Sequence, residues 1–223
     1  GTTLQLAGKD QVRFQSIMWQ AMLLSAGLPT TRQVIYHGFI TSGGQKMSKS
    51  IGNVIDPLEI VAEYGTDALR YFLARHVHPF EDSDVTMERF KEAYNADLAN
   101  GIGNLAARIM TLAEKNLPEA VQRPEPAGFH GEYTDALEKF EYNRALEFVR
   151  SQVQILDHKI VKEEPFKLIK TNPDMGKQMI RELALDLYGI ARMLNPFMPH
   201  TSAAIKEAVL SNKKPANLFP RKE

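Results

Sequence analysis

Between a glycine pair, Gly43 and Gly44, and the run Ile51-Gly52-Asn53, five residues gather two ammonium groups and two hydroxyls: Lys46-Met47-Ser48-Lys49-Ser50. So short and polar a loop buries little. Its chemistry suits a triphosphate, because lysines act as movable point charges while hydroxyls and backbone N–H groups supply donors. The plain alternative is a solvated, lysine-bearing turn, which is what most Lys/Ser clusters are.

Three other groups of residues carry possible chemistry. Gly8-Lys9-Asp10 falls where a strand gives way to a helix, the edge at which open α/β sheets bind ligands. There a glycine admits a nucleotide close to the backbone, and an acid can accept hydrogen bonds from ribose hydroxyls. Asp10 also suits the first turn of a helix for electrostatic reasons alone. His37, in His37-Gly38-Phe39, follows a second strand and could stack on or hydrogen-bond to a base. Asn104 and Arg108 are four residues apart on one helix, beside its apolar stripe, so an amide and a guanidinium could read the edge of an unstacked base. A hydrogen bond on a bundle surface is the competing reading. Phe166, after Glu164-Pro165, could be a stacking platform or a core aromatic. The remaining histidines have no metal-ligand spacing, and no cysteine is present, so disulfides and thiolate metal sites are excluded within these residues.

The elements that must position these groups follow from periodicity. Leu4–Ala7 and Gln33–Tyr36 read as strands, with a helix from Lys9 to Ala26 between them; this βαβ unit implies parallel pairing in a sheet of more than two strands. Residues 37–45 read as a hairpin-like excursion that delivers the lysine loop. Asp56-Pro57 opens a helix to about Tyr64, Gly65 interrupts, and another runs from Thr66 to His76. Beyond Asp84 the chain turns helical. Met87, Phe90, Tyr94, Leu98, Ile102, Leu105, Ile109 and Leu112 form one stripe over residues 86–116. Further stripes are expected over about 137–160 and from Ile180 to Leu194, the latter ending before Pro196, with 118–127 as the longest linker. Such helices should pack as a bundle.

Bulk properties allow one large or two modest domains in 223 residues, with 43% hydrophobic and 24% charged residues. Lys+Arg and Asp+Glu both total 27, so any nucleic-acid contact must be local rather than a global basic field. No stretch is long and apolar enough to span a membrane, and the N-terminus does not read as a signal peptide; a cytoplasmic setting and no membrane partner are expected. The opening Gly1-Thr2-Thr3, directly before a strand, suggests a piece whose upstream part is absent.

The string Lys46 to Ser50 resembles the KMSKS signature of class I aminoacyl-tRNA synthetases. From about residue 4 to 221 the chain resembles the methionyl-tRNA synthetases. The likeness is carried by Gly8-Lys9-Asp10 with Phe14, Trp19 and Ala21-Met22-Leu23, by His37-Gly38-Phe39, and by Lys46 to Pro57. It continues through Tyr64-Gly65, Asp67 to Tyr71, Tyr94 to Asn100, Gly103-Asn104-Leu105 with Arg108, Pro196 to Pro199, and Leu218 to Arg221.

The resemblance implies a mostly α chain in three parts. Residues 1–36 would end a Rossmann-like α/β catalytic domain, 37–83 would be the KMSKS stem-contact region, and 84–223 an anticodon-binding helical bundle. It implies an aminoacyl-tRNA ligase with methionine, ATP with Mg2+ as substrate, and tRNA(Met) as partners, and no metal held by these residues themselves. Lys49 would be the principal charge on the transition-state phosphates, with Lys46 assisting. Met47, Ser48, Ser50 and His37 would line the ATP site, and Gly8 and Asp10 would hold the ribose. Gln11 and Gln15 would face the amino-acid pocket. Asn104, Arg108 and Phe166 would read the anticodon. The chain departs from the family pattern at Phe166, where tryptophan is common, at Gln15, in place of a pocket histidine, and at Gln11, in place of an apolar residue. It also lacks His-x-Gly-His and the zinc-bearing insertion, so the missing N-terminal half is an expected partner and the 223 residues alone are expected to be inactive. Two other readings fit the motifs: a non-catalytic tRNA- or RNA-binding module, and a leucyl, isoleucyl, valyl or cysteinyl synthetase.

Overall fold

The computed structural model describes residues 3–48, 50–125 and 128–223. Contacts divide the chain into two compact units, Gly1–Ile55 with His76–Met87, and Asp56–Arg75 with Glu88–Glu223.

In the first unit β1 (Leu4–Gly8) pairs in parallel with β2 (Gln33–His37), with Leu4 opposite Gln33 and Gly8 opposite His37. This is the parallel pairing that the βαβ pattern requires. The helix expected between them is three segments: a 3-10 turn (Lys9–Gln11), a π-helical stretch (Arg13–Met18) and α1 (Trp19–Ser25). Gly27, at φ 66°, follows its end. The hairpin is formed by β3 (Ile40–Ser42) and β4 (Gln45–Lys46), which turn through Gly43 and Gly44 at φ 62° and 73°. Two consecutive positive φ values are what a tight two-residue hairpin needs, and glycine adopts them without a Cβ clash. β5 (Ser83–Asp84) joins β3 in parallel, giving the order β4-β3-β5.

The second unit is helical: α2 (Pro57–Tyr64), α3 (Thr66–His76), α4 (Met87–Ala93), a π-helical run (Tyr94–Gly103), α5 (Asn104–Asn116), α6 (Gly131–Glu138), α7 (Tyr142–Glu163), α8 (Pro165–Thr171), α9 (Pro173–Leu194) and α10 (Pro199–Ser211). Asp56 caps α2 by accepting from the Leu58 N–H at 2.8 Å, with Pro57 at the first helical position. The single stripe over 86–116 is thus continuous helix, but its middle is π-helical. The stripe expected from 137 is corrected: α6 ends at Glu138, Phe140 adopts φ 59°, and α7 begins at Tyr142. Periodicity could not register this break, because both helices bury apolar residues on matching spacing. The core is built from Ile109, Met110, Leu146, Ile180, Leu183, Leu187 and Leu194, each at most 1% exposed.

Two residues from the Asp67–Tyr71 stretch tie α3 to the corner between α9 and α10. Buried Asp67 accepts from the Thr201 N–H (2.6 Å) and its hydroxyl (2.8 Å), satisfying the open end of α10. Arg70 donates to the carbonyls of Phe197 (2.7 Å) and Pro196 (2.8 Å). The chain end is held equally firmly. Asn95 donates to the Lys222 carbonyl (2.8 Å) and accepts from its N–H (2.9 Å), and the Tyr94 hydroxyl donates to the Pro220 carbonyl at 3.0 Å. Gly103 makes room for buried Phe219: a Cβ there would sit 3.5 Å from the ring and 2.9 Å from the Leu98 carbonyl.

Candidate functional site

Gly8, Asp10 and His37 come together at the carboxyl ends of β1 and β2. An atom added at the Gly8 Cβ position would lie 2.7 Å from Asp10 Oδ1 and 3.7 Å from His37 Cε1. Any side chain at Gly8 would therefore displace the carboxylate. Gln11 donates to Asp10 Oδ2 at 3.1 Å, which links the expected pocket residue to the expected ribose acid. Gln15 accepts through its carbonyl from Gln20 Nε2 at 2.8 Å, and its side chain is half-buried. His37 is exposed, with Nδ1 3.0 Å from the Gly38 carbonyl oxygen.

A polar chain runs from this edge to the lysine loop. Lys9 Nζ lies 2.5 and 2.6 Å from the Asp82 oxygens and 4.6 Å from the centre of the Phe39 ring. Asp82 also accepts from the Phe39 N–H at 2.8 Å. The Lys9 ammonium and this N–H hold its carboxyl below the usual carboxylate range. Gly38 permits the crossing: a Cβ there would be 2.1 Å from the Glu81 carbonyl. Two residues on, Asp84 Oδ1 accepts from Thr41 Oγ1 and from the Gly44 N–H, both at 2.7 Å, fastening the hairpin turn.

The loop itself is braced from within. Asn53 accepts from the Ser48 N–H at 2.8 Å and donates to the Lys46 carbonyl at 3.2 Å. The hydroxyls of Ser48 and Ser50 are 2.7 Å apart. The Ser48 carbonyl accepts from the N–H groups of Ile51 and Gly52, both at 3.1 Å, and Gly52 adopts φ 73°. Lys46 and Ser50 are exposed, and Met47 and Ser48 half-buried. Lys49, the expected principal charge, lies outside the described residues.

The expected base-reading residues lie in the helical unit. Asn104 is exposed at the start of α5, one turn before Arg108. Arg108 Nη1 pairs with Asp157 of α7, which lines a 350 Å3 cleft with Gln154, His158 and Asn100. An exposed pair of this kind contributes about 0–1 kcal/mol, so it orients the guanidinium without committing all five N–H donors. Phe166 stands on a separate helix, α8, and is 46% exposed, which removes the core-aromatic alternative. Among the described residues no group of three or more potential metal ligands occurs.

Sequence reasoning missed Asn53, Asp82, Asp84 and Asn95 as organising residues. Only Asn53 and Asn95 had a signal, being inside the stretches that carry the family likeness; Asp82 and Asp84 act across 40 or more residues of sequence.

A family model for class I (M) tRNA synthetases matches residues 1–110. Over 218 residues the chain is 34% identical to a methionine–tRNA ligase from Rhizobium meliloti, covering 92% of this chain and 42% of that relative. A Thermosynechococcus vestitus enzyme of the same name is 50% identical over 112 residues, half of this chain and 21% of its own. The chain belongs to the class I methionyl-tRNA synthetase family. A Mycobacterium tuberculosis methionyl-tRNA synthetase solved with methionyl-adenylate superposes with a TM-score of 0.80 at 27% identity, over 99% of this chain and 49% of that one. The chain thus spans less than half the length of the Rhizobium and Thermosynechococcus relatives and about half of the solved structure. The mostly α architecture is that of the family structure, and no helix among the described residues is long and apolar enough to cross a membrane.

Proposed function

We propose that this chain supplies two working parts of a methionine–tRNA ligase: the phosphate-contacting KMSKS loop and the face that reads the tRNA(Met) anticodon. The reaction joins a methionine carboxylate oxygen to the α-phosphorus of ATP as the bond to the β-phosphate oxygen breaks, releasing pyrophosphate. The methionyl group then passes to the 3′ end of the tRNA. Both first-step reactants are anions, so catalysis rests on positioning and on cations near the charge that builds on pyrophosphate.

The observation that carries this reading is the braced loop. Asn53 fixes the backbone on both sides of Met47, which turns Lys46, Ser48 and Ser50 into a short polar rim. Lys49 and Lys46 would meet the phosphates, with Mg2+ entering as part of the ATP substrate. Met47 would back the adenine, and the Gly8–Asp10–His37 edge would take the ribose and base. Gln11 and Gln15 would border the methionine side chain. Asn104, Arg108 and Phe166 would read and stack the anticodon. In this reading residues 1–36 close the catalytic fold, 37–83 contact the tRNA stem, and 84–223 bind the anticodon. The apolar side chains of Leu6, Ile17, Met22 and Leu24 in the first unit, each more than 60% exposed, would be covered by the N-terminal half of the synthetase fold.

Binding of the 223-residue chain to an RNA stem-loop carrying a CAU anticodon tests the second part. Arg108→Ala should weaken it by about 1–3 kcal/mol, and unchanged affinity would remove the anticodon role. For the first part, the isolated chain should show no methionine-dependent ATP–pyrophosphate exchange, since the sequence holds no His-x-Gly-His. Measurable exchange would overturn that division of labour.

A further inference from the structure

The helical unit holds a cleft of 520 Å3 that contains none of the residues assigned above to ATP, methionine or the anticodon. Four elements wall it: α3 with Arg70 and Leu73, α6 with Leu137, the start of α7 with Tyr142, and the corner between α9 and α10 with Phe197. The lining is mostly apolar. Leu73 stands 40% exposed, and the Tyr142 ring meets Phe197 edge-on, with centroids 6.2 Å apart at 73°. Keeping such a surface wet is unfavourable, so an apolar body that displaces the water gains free energy. The volume falls within the roughly 300–1,000 Å3 of ligand-sized clefts.

Two polar groups belong to this lining. Arg70 Nε and Nη2 donate to the carbonyls of Phe197 and Pro196, which fixes the plane of the guanidinium. One edge of the fork is thereby committed; the other, Nη1 with the second Nη2 hydrogen, has no partner among the described residues. Carbonyls orient the cation without neutralising it. No carboxylate is among the described residues that line the cleft, and the nearby acids are engaged elsewhere. Asp67, one turn earlier on α3, is bonded to Thr201; Glu141, beside Tyr142, pairs with Arg144; Glu147 pairs with Arg75. The Tyr142 hydroxyl also makes no hydrogen bond among the described residues.

An apolar recess with one fixed, unneutralised guanidinium selects a ligand of matching halves: an apolar body and one planar anion. A carboxylate fits the open edge of the fork with both its oxygens. A guanidinium already held in place also loses little freedom when it binds.

We propose that this cleft binds a small amphipathic carboxylic acid, with its apolar body against Leu73, Leu137, Tyr142 and Phe197 and its carboxylate on the open edge of Arg70. The site stands apart from the ligase reading and does not depend on it. A bound acid touches α3, the α6–α7 bend and the α9–α10 corner together, so it adds to the hold that Asp67 and Arg70 already give α3.

Titration of phenylpropionate into the isotope-labelled 223-residue chain, followed by amide NMR, tests the site. Saturable shifts are expected at the amides of Leu73, Leu137, Tyr142 and Phe197, with a Kd on the order of 1 mM for so small a probe. Phenylpropionamide, which keeps the body and lacks the charge, and acetate, which keeps the charge and lacks the body, should each bind about 10-fold more weakly or worse. Leu73→Glu sets a carboxylate one turn from Arg70 at an exposed helix position, leaves the bonds to Pro196 and Phe197 in place, and should weaken phenylpropionate about 10-fold or more. Leu73→Gln, of the same size without the charge, should weaken it only a few-fold. Far-ultraviolet circular dichroism shows whether each variant keeps its fold. Unmoved amides at about 10 mM phenylpropionate, equal binding of the acid and its amide, or parental affinity in Leu73→Glu would each overturn the proposal. Shifts of the same four amides with protein concentration alone would assign the face to a second copy of the chain, and would overturn it as well.

Discussion

The two units are stabilised by different physics. The helical unit closes its own core, with Ile180, Leu187 and Leu194 at 0% exposure. In the strand-bearing unit, Leu23 and Val85 are the buried apolar residues among those described, while Leu24 and Leu6 are 67% and 65% exposed. What orders that unit is a set of directional polar links: Lys9 to Asp82, Asp82 to Phe39, Asp84 to Thr41 and Gly44, and Asn53 to Ser48 and Lys46. Bonds of this kind, made largely in contact with water, are each worth less than the burial of one large aliphatic side chain, about 1.5–3 kcal/mol. The difference teaches that the bundle is held by its own closed core, whereas the loop region is held by exposed polar bonds that water or another polar group can exchange. Segments that must reorganise around a ligand are drawn from the low-stability end of a structure.

The largest effect should separate the units outright. Leu187→Ala should lower the denaturant stability of the helical unit by about 2–5 kcal/mol, whereas Leu24→Ala should stay within about 0.5 kcal/mol. Equal effects in urea unfolding would break the contrast. Next comes Gly38→Ala, which sets a methyl against the Glu81 backbone and should destabilise the β3–β5 pairing by about 1–3 kcal/mol. Faster amide exchange at Ser83 and Val85, which donate to the carbonyls of Phe39 and Thr41, would register it. Asn53→Ala removes both braces of the loop and should speed exchange of the Ser48 amide, by an amount corresponding to about 1 kcal/mol, while leaving bundle amides unchanged.

The smallest effect is a pH dependence. Asp82 has its pKa depressed in the folded unit by Lys9 and the Phe39 N–H. Its contribution is therefore present above the ordinary carboxylate pKa and lost as pH falls through the lower folded value. Acid titration should loosen the Lys9–Asp82 link before the bundle unfolds, and Lys9→Met should flatten that response. A response unaltered in Lys9→Met would show that the link does not order the unit.

The sequence made much of this legible because the signals were local. Asp56-Pro57 announced a capped helix, the Gly43–Gly44 pair a hairpin, and the spacing of Phe90 through Leu112 a continuous stripe. The Lys46–Ser50 string carried the class by itself. Where the sequence misled, periodicity was the wrong instrument. It extended a helix across Phe140, where one left-handed residue reverses the chain, and it did not register the π-helical register of Tyr94–Gly103.

What the sequence determined alone was the family and the helical character beyond residue 84, since both depend on side-chain type and short-range spacing. Tertiary structure decided which groups meet. Asp82 reaches Lys9 across 73 residues, Asp67 reaches Thr201 across 134, and Asn95 clasps Lys222 across 127. No local pattern encodes such pairs, because each partner looks like an ordinary surface polar residue until the fold brings the two together.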